Sequence, residues 1–379
     1  MLIFLLVFIS IYSLLHFYGL VKVLRAHVLN TSGLVALIIF MLIMIFAPIL
    51  VRLLETANFD KTARMLAYIG YCWMGVLFLF VCTALVLDIY RILLTTGTLI
   101  LPFDLSRMAL TSRQIFFVSL AVSATVAIYG SFEANRIQTE HITIKTPKIP
   151  KEVGRVRIVQ ISDVHIGLIV GENRLEKILD RVIAAEPDIL ISTGDLVDGQ
   201  MDDVSTLTEM FRKIPAKMGK YAITGNHEFY AGLKRALKFT KNAGFTILRG
   251  EALSINGFLN IAGVDDMAGN SYGLTRNISE KALLSALDRD KFTLFLKHRP
   301  LLEKDATGLY DLQLSGHVHK GQIFPFSLVT MLFYPEDAGM LALDNNAFLY
   351  VSRGCGTWGP PIRFLSPPEV TIIDLVAAG

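Results

Sequence analysis

The stretch Val156-Arg157-Ile158-Val159-Gln160-Ile161-Ser162-Asp163-Val164-His165 decides how this chain is read. A run rich in β-branched side chains predicts a buried strand, and it stops abruptly at Ser, Asp and His. The pattern recurs. Ile189–Ser192 runs into Gly194-Asp195-Leu196-Val197-Asp198, and Tyr221–Thr224 into Gly225-Asn226-His227-Glu228. Phe292–Leu296 runs into Lys297-His298, and Leu312–Leu314 into Gly316-His317-Val318-His319. Amphipathic helices are predicted over Asn173–Ala185, Val204–Arg212, Leu233–Asn242 and Ser279–Leu287. Thr246–Leu248, Ala252–Ile255 and Phe258–Ala262 read as a meander, with Phe348–Ser352 and Val370–Asp374 as closing strands. This alternation predicts an α/β domain with several parallel pairings. Such sheets gather ligands at the carboxyl ends of their strands, so the five polar clusters should meet at one edge.

Five of the eight histidines belong to these clusters; His16, His27 and His141 do not. Mixed imidazole and carboxylate donors suit Zn²⁺, Mn²⁺ or Fe better than Ca²⁺, which prefers oxygen ligands alone. Mn²⁺ is favoured here. The candidate ligands outnumber what one ion takes, which implies two divalent metal ions with a carboxylate between them. Paired ions of this kind activate water and clamp the oxygens of an in-line phosphoryl displacement.

The series Asp163-x-His165, Gly194-Asp195-x-x-Asp198, Gly225-Asn226-His227-Glu228, His298 and Gly316-His317-x-His319 resembles the calcineurin-like metallophosphoesterase signature, complete and in order. The resemblance covers about 150–379 and implies a metal-dependent hydrolase of phosphoric esters or diphosphates on an αββα sandwich. It implies that Asp163, His165 and His319 hold one metal, that Asn226, His298 and His317 hold the other, and that Asp195 bridges. It also implies that His227 acts on the phosphoryl group or the leaving oxygen, with Asp198 orienting it, and that Asn226 also contacts substrate. Two positions depart from related branches. Gly199 stands where the protein Ser/Thr phosphatases carry a phosphate-gripping Arg. Lys320 follows His319 where a membrane-associated bacterial branch, which includes UDP-2,3-diacylglucosamine hydrolases, usually has Gly. Lys320 is a candidate for binding a substrate phosphate or, equally, an ordinary solvated lysine. Asp265 and Asp266 read as substrate contacts or as turn residues.

Outward from this domain the composition changes. The chain has 379 residues, 53% hydrophobic and 18% charged, against about 25% charged in an average soluble protein. Residues 1–132 hold only eight Lys or Arg and four acids, whereas 133–379 hold 28 and 29. Four stretches, Leu2–Val21, Leu34–Leu54, Leu66–Leu87 and Ile115–Phe132, reach the length of about 20 apolar residues that crosses a bilayer. The expected organisation is a four-span transmembrane region over 1–132, a linker over 133–150 and the phosphoesterase domain over 151–379. No basic residues precede the first span, so it reads as retained. Ile92–Leu101 is too short to span and reads as interfacial. Asp88 and Arg91 are spaced to pair on one helix face. Seven basic residues flank the spans on the domain's side and five on the other, favouring a cytoplasmic domain on a multi-pass cell-membrane protein. Cys72 and Cys82 fall within the third span and Cys355 stands alone, so no disulfide framework is expected.

Ile323–Tyr334 has no charged residue and directly follows the last ligands. It reads as a loop dipping into the membrane interface or lining an acyl groove, or else as a buried core segment. With Trp358, Pro360 and Pro361, in the glycine-rich turn after Phe348–Ser352, expected to border the same opening, it points to a phosphorylated lipid or nucleotide-lipid substrate such as UDP-diacylglucosamine or a phospholipid. The alternatives are a membrane-anchored phosphodiesterase of soluble nucleotides and a non-catalytic membrane receptor, whose metal set should be incomplete. The near-neutral domain lacks the basic footprint of a nucleic-acid partner. Nothing in the sequence sets an oligomeric state.

Overall fold

The computed structural model describes residues 2–102, 104–198, 205–343 and 346–378; Gly199 and Val204 lie outside them. The chain forms two units, Met1–Phe132 with Gly359–Ile362, and Glu133–Trp358 with Arg363–Gly379.

The first unit contains helices α1 (Leu2–Ala26), α2 (Thr31–Thr56) and α3 (Asp60–Ile100) and most of α4 (Ser112–Asn135). All four are long and apolar enough to cross a membrane. Large apolar side chains face outward, Leu14, Phe17 and Ile128 among them. Polar groups turn inward instead: the Trp73 indole donates to His16 Nε2 at 2.9 Å, and His16 Nδ1 meets the Tyr12 carbonyl at 2.8 Å. Asp88 lies 3.6 Å from Arg91, but it also accepts from Tyr18 at 2.7 Å and from Lys22. The expected interfacial segment Ile92–Leu101 is instead the continuation of α3, which runs unbroken until Pro102 disfavours helix at the residue before it.

The second unit follows as β1 (Gln138–Thr146), β2 (Arg155–Ile161), α5 (Glu172–Ala184), β3 (Ile189–Ser192), α6 (Ser205–Arg212), β4 (Lys220–Ala222), α7 (Asn226–Tyr230) and α8 (Leu233–Asn242). Next come β5 (Thr246–Ile247), β6 (Glu251–Ile255), β7 (Leu259–Gly263), α9 (Glu280–Ser285), β8 (Phe292–Leu296), β9 (Leu312–Ser315), α10 (Ser327–Phe333), β10 (Gly339–Ala342), β11 (Phe348–Val351) and β12 (Glu369–Ala377). One six-stranded sheet has the order β1-β12-β2-β3-β4-β5, the other β10-β11-β9-β8-β7-β6.

The two-residue period of the strands builds the layers. Val156 and Ile158 of β2 join Ile189, Ile191, Leu294, Leu296, Leu312 and Leu314 in the core between the sheets. Val159 and Ile161 face the other way, toward Ile178 and Val182 of α5 and Phe239 of α8. Phe295 of β8 and Leu284 of α9 close the far side. The result is the expected αββα sandwich. Gln160 breaks the apolar pattern between the sheets, donating to Thr193 Oγ1 at 2.9 Å and to the Ser315 carbonyl at 3.1 Å. It ties the two sheets together at the carboxyl ends of β2 and β9.

Two expectations need correction. The linker over 133–150 contains β1, which pairs in parallel with β12 from Gln138 through Thr146. Its alternation, with Ile144 and Thr146 buried and Thr143 and Lys145 exposed, is that of a half-covered strand. The expected meander is split: β5 adds to β4 in the first sheet, while β6 and β7 belong to the second. Short apolar runs do not reveal which sheet they join.

Arg157 and Asp374 are direct partners across β2 and β12. Both guanidinium bonds to the carboxylate are 2.8 Å long, and they hold Asp374 below its ordinary pKa. A depressed carboxyl stabilises above its unfolded value and loses that contribution as pH falls through its folded one. Arg157→Met should therefore cost about 1 kcal/mol at pH 7, roughly 2–4 °C in Tm. Thermal unfolding of the full chain in detergent should show that penalty shrinking below pH 3.8. A penalty independent of pH would contradict the assignment.

Candidate metal centre

The sheet order places β2, β3 and β4 side by side in one sheet and β8 and β9 side by side in the other. Backbone bonds continue past the strand ends. Asp163 N–H donates to the Gly194 carbonyl at 3.1 Å, His165 N–H to that of Asp195 at 3.0 Å, and Gly316 N–H to that of His298 at 2.8 Å. His317 N–H then reaches both Asp163 carboxylate oxygens at 3.0 Å, joining a loop of one sheet to a ligand-type side chain of the other.

The turns are sharp. Asp163, His165, Asp195, His317 and His319 all have φ between 50° and 74°. Non-glycine residues in this region cost of order 1–3 kcal/mol each and concentrate at functional sites. Crowding explains the glycines beside them. A Cβ on Gly194 would lie 2.6 Å from Gly225 N and 2.7 Å from His298 Nδ1, and one on Gly316 only 1.9 Å from Ser162 Oγ.

Asp163, His165 and His319 bring donor atoms within 4.8 Å of one another, as do Asp195, His298 and His317. His165 Nε2 and His319 Nε2 are 3.0 Å apart, and His317 Nδ1 and His298 Nε2 are 3.1 Å apart. Facing imidazole nitrogens at such distances need a proton or a cation between them. Asp195 Oδ2 lies 3.9 Å from His165 Nε2 and 3.3 Å from His298 Nε2, so one carboxylate oxygen faces both groups. Asn226 Oδ1 stands 3.3 Å from His298 Nε2. His227 also brings a ring nitrogen within 4.8 Å of His165 and Asp195. Its Nδ1 lies 2.7 Å from Asp198 Oδ1, close enough for an ion pair though not aligned as a hydrogen bond.

The electrostatics follow from burial and charge. Burial pushes the Asp195 carboxyl up, but the imidazoles of His298, His227 and His165 outweigh it and hold it well below the usual range. Burial also raises Asp163, with Asp195 adding to the effect. Burial alone would lower His298, yet Asp195 and Asp163 raise it to about 10. His227 is raised against burial by Asp195, Asp198 and Glu228 to about 9. His317 and His319 move down through burial and then through His298 and Arg363 respectively, which leaves them neutral with lone pairs to offer. Asp195 kept charged and His317 and His319 kept neutral give the site the donors a cation needs.

Comparison with known proteins fits this geometry. Residues 156–321 match the family described as calcineurin-like phosphoesterase. A protein of Aquifex aeolicus, named as an uncharacterized metallophosphoesterase, is 39% identical over 259 residues, 68% of this chain and 99% of its own length. The chain belongs to the calcineurin-like metallophosphoesterases. A "transmembrane protein with metallophosphoesterase domain" from Danio rerio is 28% identical over 277 residues, covering 69% of this chain and 62% of its own. Its namesake from Bos taurus is 26% identical over 333 residues, 83% of this chain and 74% of its own. This metallophosphoesterase is thus a metal-dependent phosphoester hydrolase of a family that uses divalent ions, and its His and Asp clusters are able to bind them.

All the motif residues singled out in the sequence meet here, Lys320 excepted. Lys320 is half-buried on the turn after His319, with φ at 48° and no hydrogen bond or ion pair among the described residues. Asp265 and Asp266 are committed internally, Asp265 to Arg249 at 2.8 Å and Asp266 to Arg299 at 2.8 Å. Sequence reasoning missed three supporting groups. Glu228, buried, accepts from the N–H groups of Gly225, Asp195, Leu196 and Val197 at 2.7–3.3 Å, locking two motif loops together. The Thr193 carbonyl meets His298 Nδ1 at 2.8 Å, which frees Nε2 for the centre. Arg363, fully buried, bonds to the carbonyls of Arg353, Gly354, Gly356 and Ser366 and sets its guanidinium Nη2 3.0 Å from His319 Nδ1. Glu228 was visible as the fourth residue of its motif, whereas nothing in sequence connects Arg363 to His319.

Two outcomes follow from this geometry. Asp195→Asn should lower bound Mn²⁺, measured by elemental analysis of the folded full chain, from about two ions to one or fewer; retention of both would contradict the bridging position. His227 is protonated below its raised pKa and loses the proton above it. Asp198→Asn should therefore move the alkaline limb of kcat/KM down by about 1–3 pH units, and an unmoved limb would contradict the pairing.

Proposed function

We propose that this metallophosphoesterase is a multi-pass membrane enzyme hydrolysing a phosphodiester or pyrophosphate bond in a lipid-linked substrate. One observation carries the substrate class. Ile323–Tyr334, directly after His319, is largely the short helix α10, and none of the α10 residues is buried. Leu332 is 80% and Phe333 72% exposed. α10 is thus no core element, although Ile323 at the start of the segment is buried. Tyr334 ends it against the centre, its ring 5.3 Å from that of His317. An apolar surface of this kind beside a charged site suits acyl chains entering from an interface.

The residues divide the chemistry as follows. Asp163, His165 and His319 would hold one divalent ion and Asn226, His298 and His317 the second, with Asp195 between them and Mn²⁺ the favoured metal. Ions bound there would supply Lewis acidity toward the phosphoryl oxygens and lower the pKa of water. His227, protonated and held by Asp198, gives its proton to the leaving oxygen. Lys320 and Asn226 contact the phosphate. The basic residues flanking the apolar helices favour the cytoplasmic face of the cell membrane for the hydrolase unit. A phosphodiesterase of soluble nucleotides would use the same residues but gives α10 no task.

Detergent-solubilised full chain with Mn²⁺ should hydrolyse UDP-diacylglucosamine or a phospholipid as well as bis(p-nitrophenyl) phosphate. Leu332→Asp with Phe333→Asp should lower the ratio of lipid to soluble-diester kcat/KM by about tenfold, the worth of roughly two buried CH₂ groups. An unchanged ratio, or absence of lipid turnover, would sink the lipid assignment.

A further inference from the structure

The apolar helices of the first unit carry a charge cluster at the end where α1 stops and α4 starts. Tyr18, Lys22 and Arg25 are spaced four and three residues apart, so they share one face of α1. Only 4% of the Lys22 side chain is exposed, and it pairs with Asp88 of α3. The same carboxylate oxygen accepts from Tyr18 at 2.7 Å. The other oxygen lies 3.6 Å from Arg91, whose Nη1 donates to Ser112 Oγ of α4 at 3.3 Å. Three helices thus meet around one carboxylate. Earlier along α3, Leu77, Phe80, Val81 and Ala84 join Ile115 of α4 in the apolar core of the bundle.

The cluster is not electrically balanced. Residues 1–132 have four acids. Glu55 and Asp60 flank the turn between α2 and α3, and Asp104 is met by Arg107 at 3.7 Å. Asp88 therefore stands alone against Lys22, Arg25, Arg91 and Arg113 at this end. Arg25 is exposed and has no hydrogen bond or ion pair among the described residues. The carbonyl end of α1 favours cations, but the amide end of α4 beside Ser112 offsets it. A carboxylate placed only to neutralise Lys22 needs one cation beside it. Ionisable groups gathered between membrane-type helices instead mark binding sites and pathways.

We propose that Lys22, Arg25 and Arg91 form a binding site for the phosphate of an anionic phospholipid headgroup, separate from the metal centre and from its substrate. Basic pockets between membrane helices take anionic headgroups in this way. The phosphate supplies the negative charge that Asp88 alone does not. Apolar side chains beside the cluster suit the rest of the lipid: Val86 and Ile89 near Asp88, and Leu24 next to Arg25, are all exposed. A headgroup that carries its own cation, as phosphatidylcholine does, would bring the surplus back, so the site selects lipids of net negative charge. No ligand of the metal centre takes part, since those residues all belong to the second unit.

The test mixes the full chain, in neutral detergent with divalent ions chelated, with micelles holding equal phosphatidylglycerol and phosphatidylcholine. Native mass spectrometry counts the lipid retained. Phosphatidylglycerol should be preferred at least about fivefold, the worth of one basic residue beside a charged headgroup. Arg25→Gln with Arg91→Gln should bring the two lipids within about twofold. Arg25→Glu should do the same, and because Arg25 lies outside the ion pair it keeps the test decisive if the double variant fails to fold. Asp195→Asn and excess inorganic phosphate should each leave the preference intact. A native preference below about fivefold, or one still above about twofold in Arg25→Glu, overturns the site. Loss of the preference in Asp195→Asn would assign the lipid to the metal centre, and displacement by inorganic phosphate would assign the pocket to the free ion; either result also overturns the proposal.

Discussion

Gathering five imidazoles, four of them buried, with the buried carboxylates of Asp163 and Asp195 at one edge of a sandwich is possible only if facing lone pairs and like charges are neutralised by something between them. The 3.0 Å approach of His165 Nε2 to His319 Nε2 states this constraint most plainly. Burial of an isolated charge costs several kcal/mol, and an unpaired buried donor or acceptor about 1–3 kcal/mol. Asp195 meets part of the demand, with one oxygen facing His165 and His298. The His and Asp groups are able to bind divalent cations, which would meet the rest.

The surrounding structure is arranged to hold that cluster against its own cost. Left-handed backbone at five candidate ligands is tolerated because hydrogen bonds outside the sheets fix each turn. Glu228 gathers four backbone N–H groups, and Arg363 gathers the carbonyls behind His319. Gln160 and the contact of His317 N–H with Asp163 keep the two sheets in register at this edge. Turns fixed in this way set the donor positions.

The strands and the ligand-type side chains were legible in the sequence because each strand is a short apolar run ended by a polar cluster. β2, β3, β8 and β9 follow that rule closely. What was not legible depended on contacts distant in sequence. β1 looked like a linker because its apolar positions are few and its partner, β12, lies more than 200 residues away. β5 could be assigned to the wrong group of strands because sheet membership is a tertiary fact. Arg363 carries no local signal, and the exposure of α10 could not be told from burial by composition alone. The apolar helices long enough to cross a membrane are the easiest part to read, since length and absence of charge suffice, although the unbroken length of α3 carries no local signal.

A paired cation site at the sandwich edge is tested most directly by the electron paramagnetic resonance spectrum of Mn²⁺-loaded full-length protein. Two ions about 4 Å apart, joined through the Asp195 carboxylate, should give the multiline signal of an exchange-coupled pair. A six-line spectrum of isolated Mn²⁺ at all loadings, or no tightly bound Mn²⁺, would contradict it.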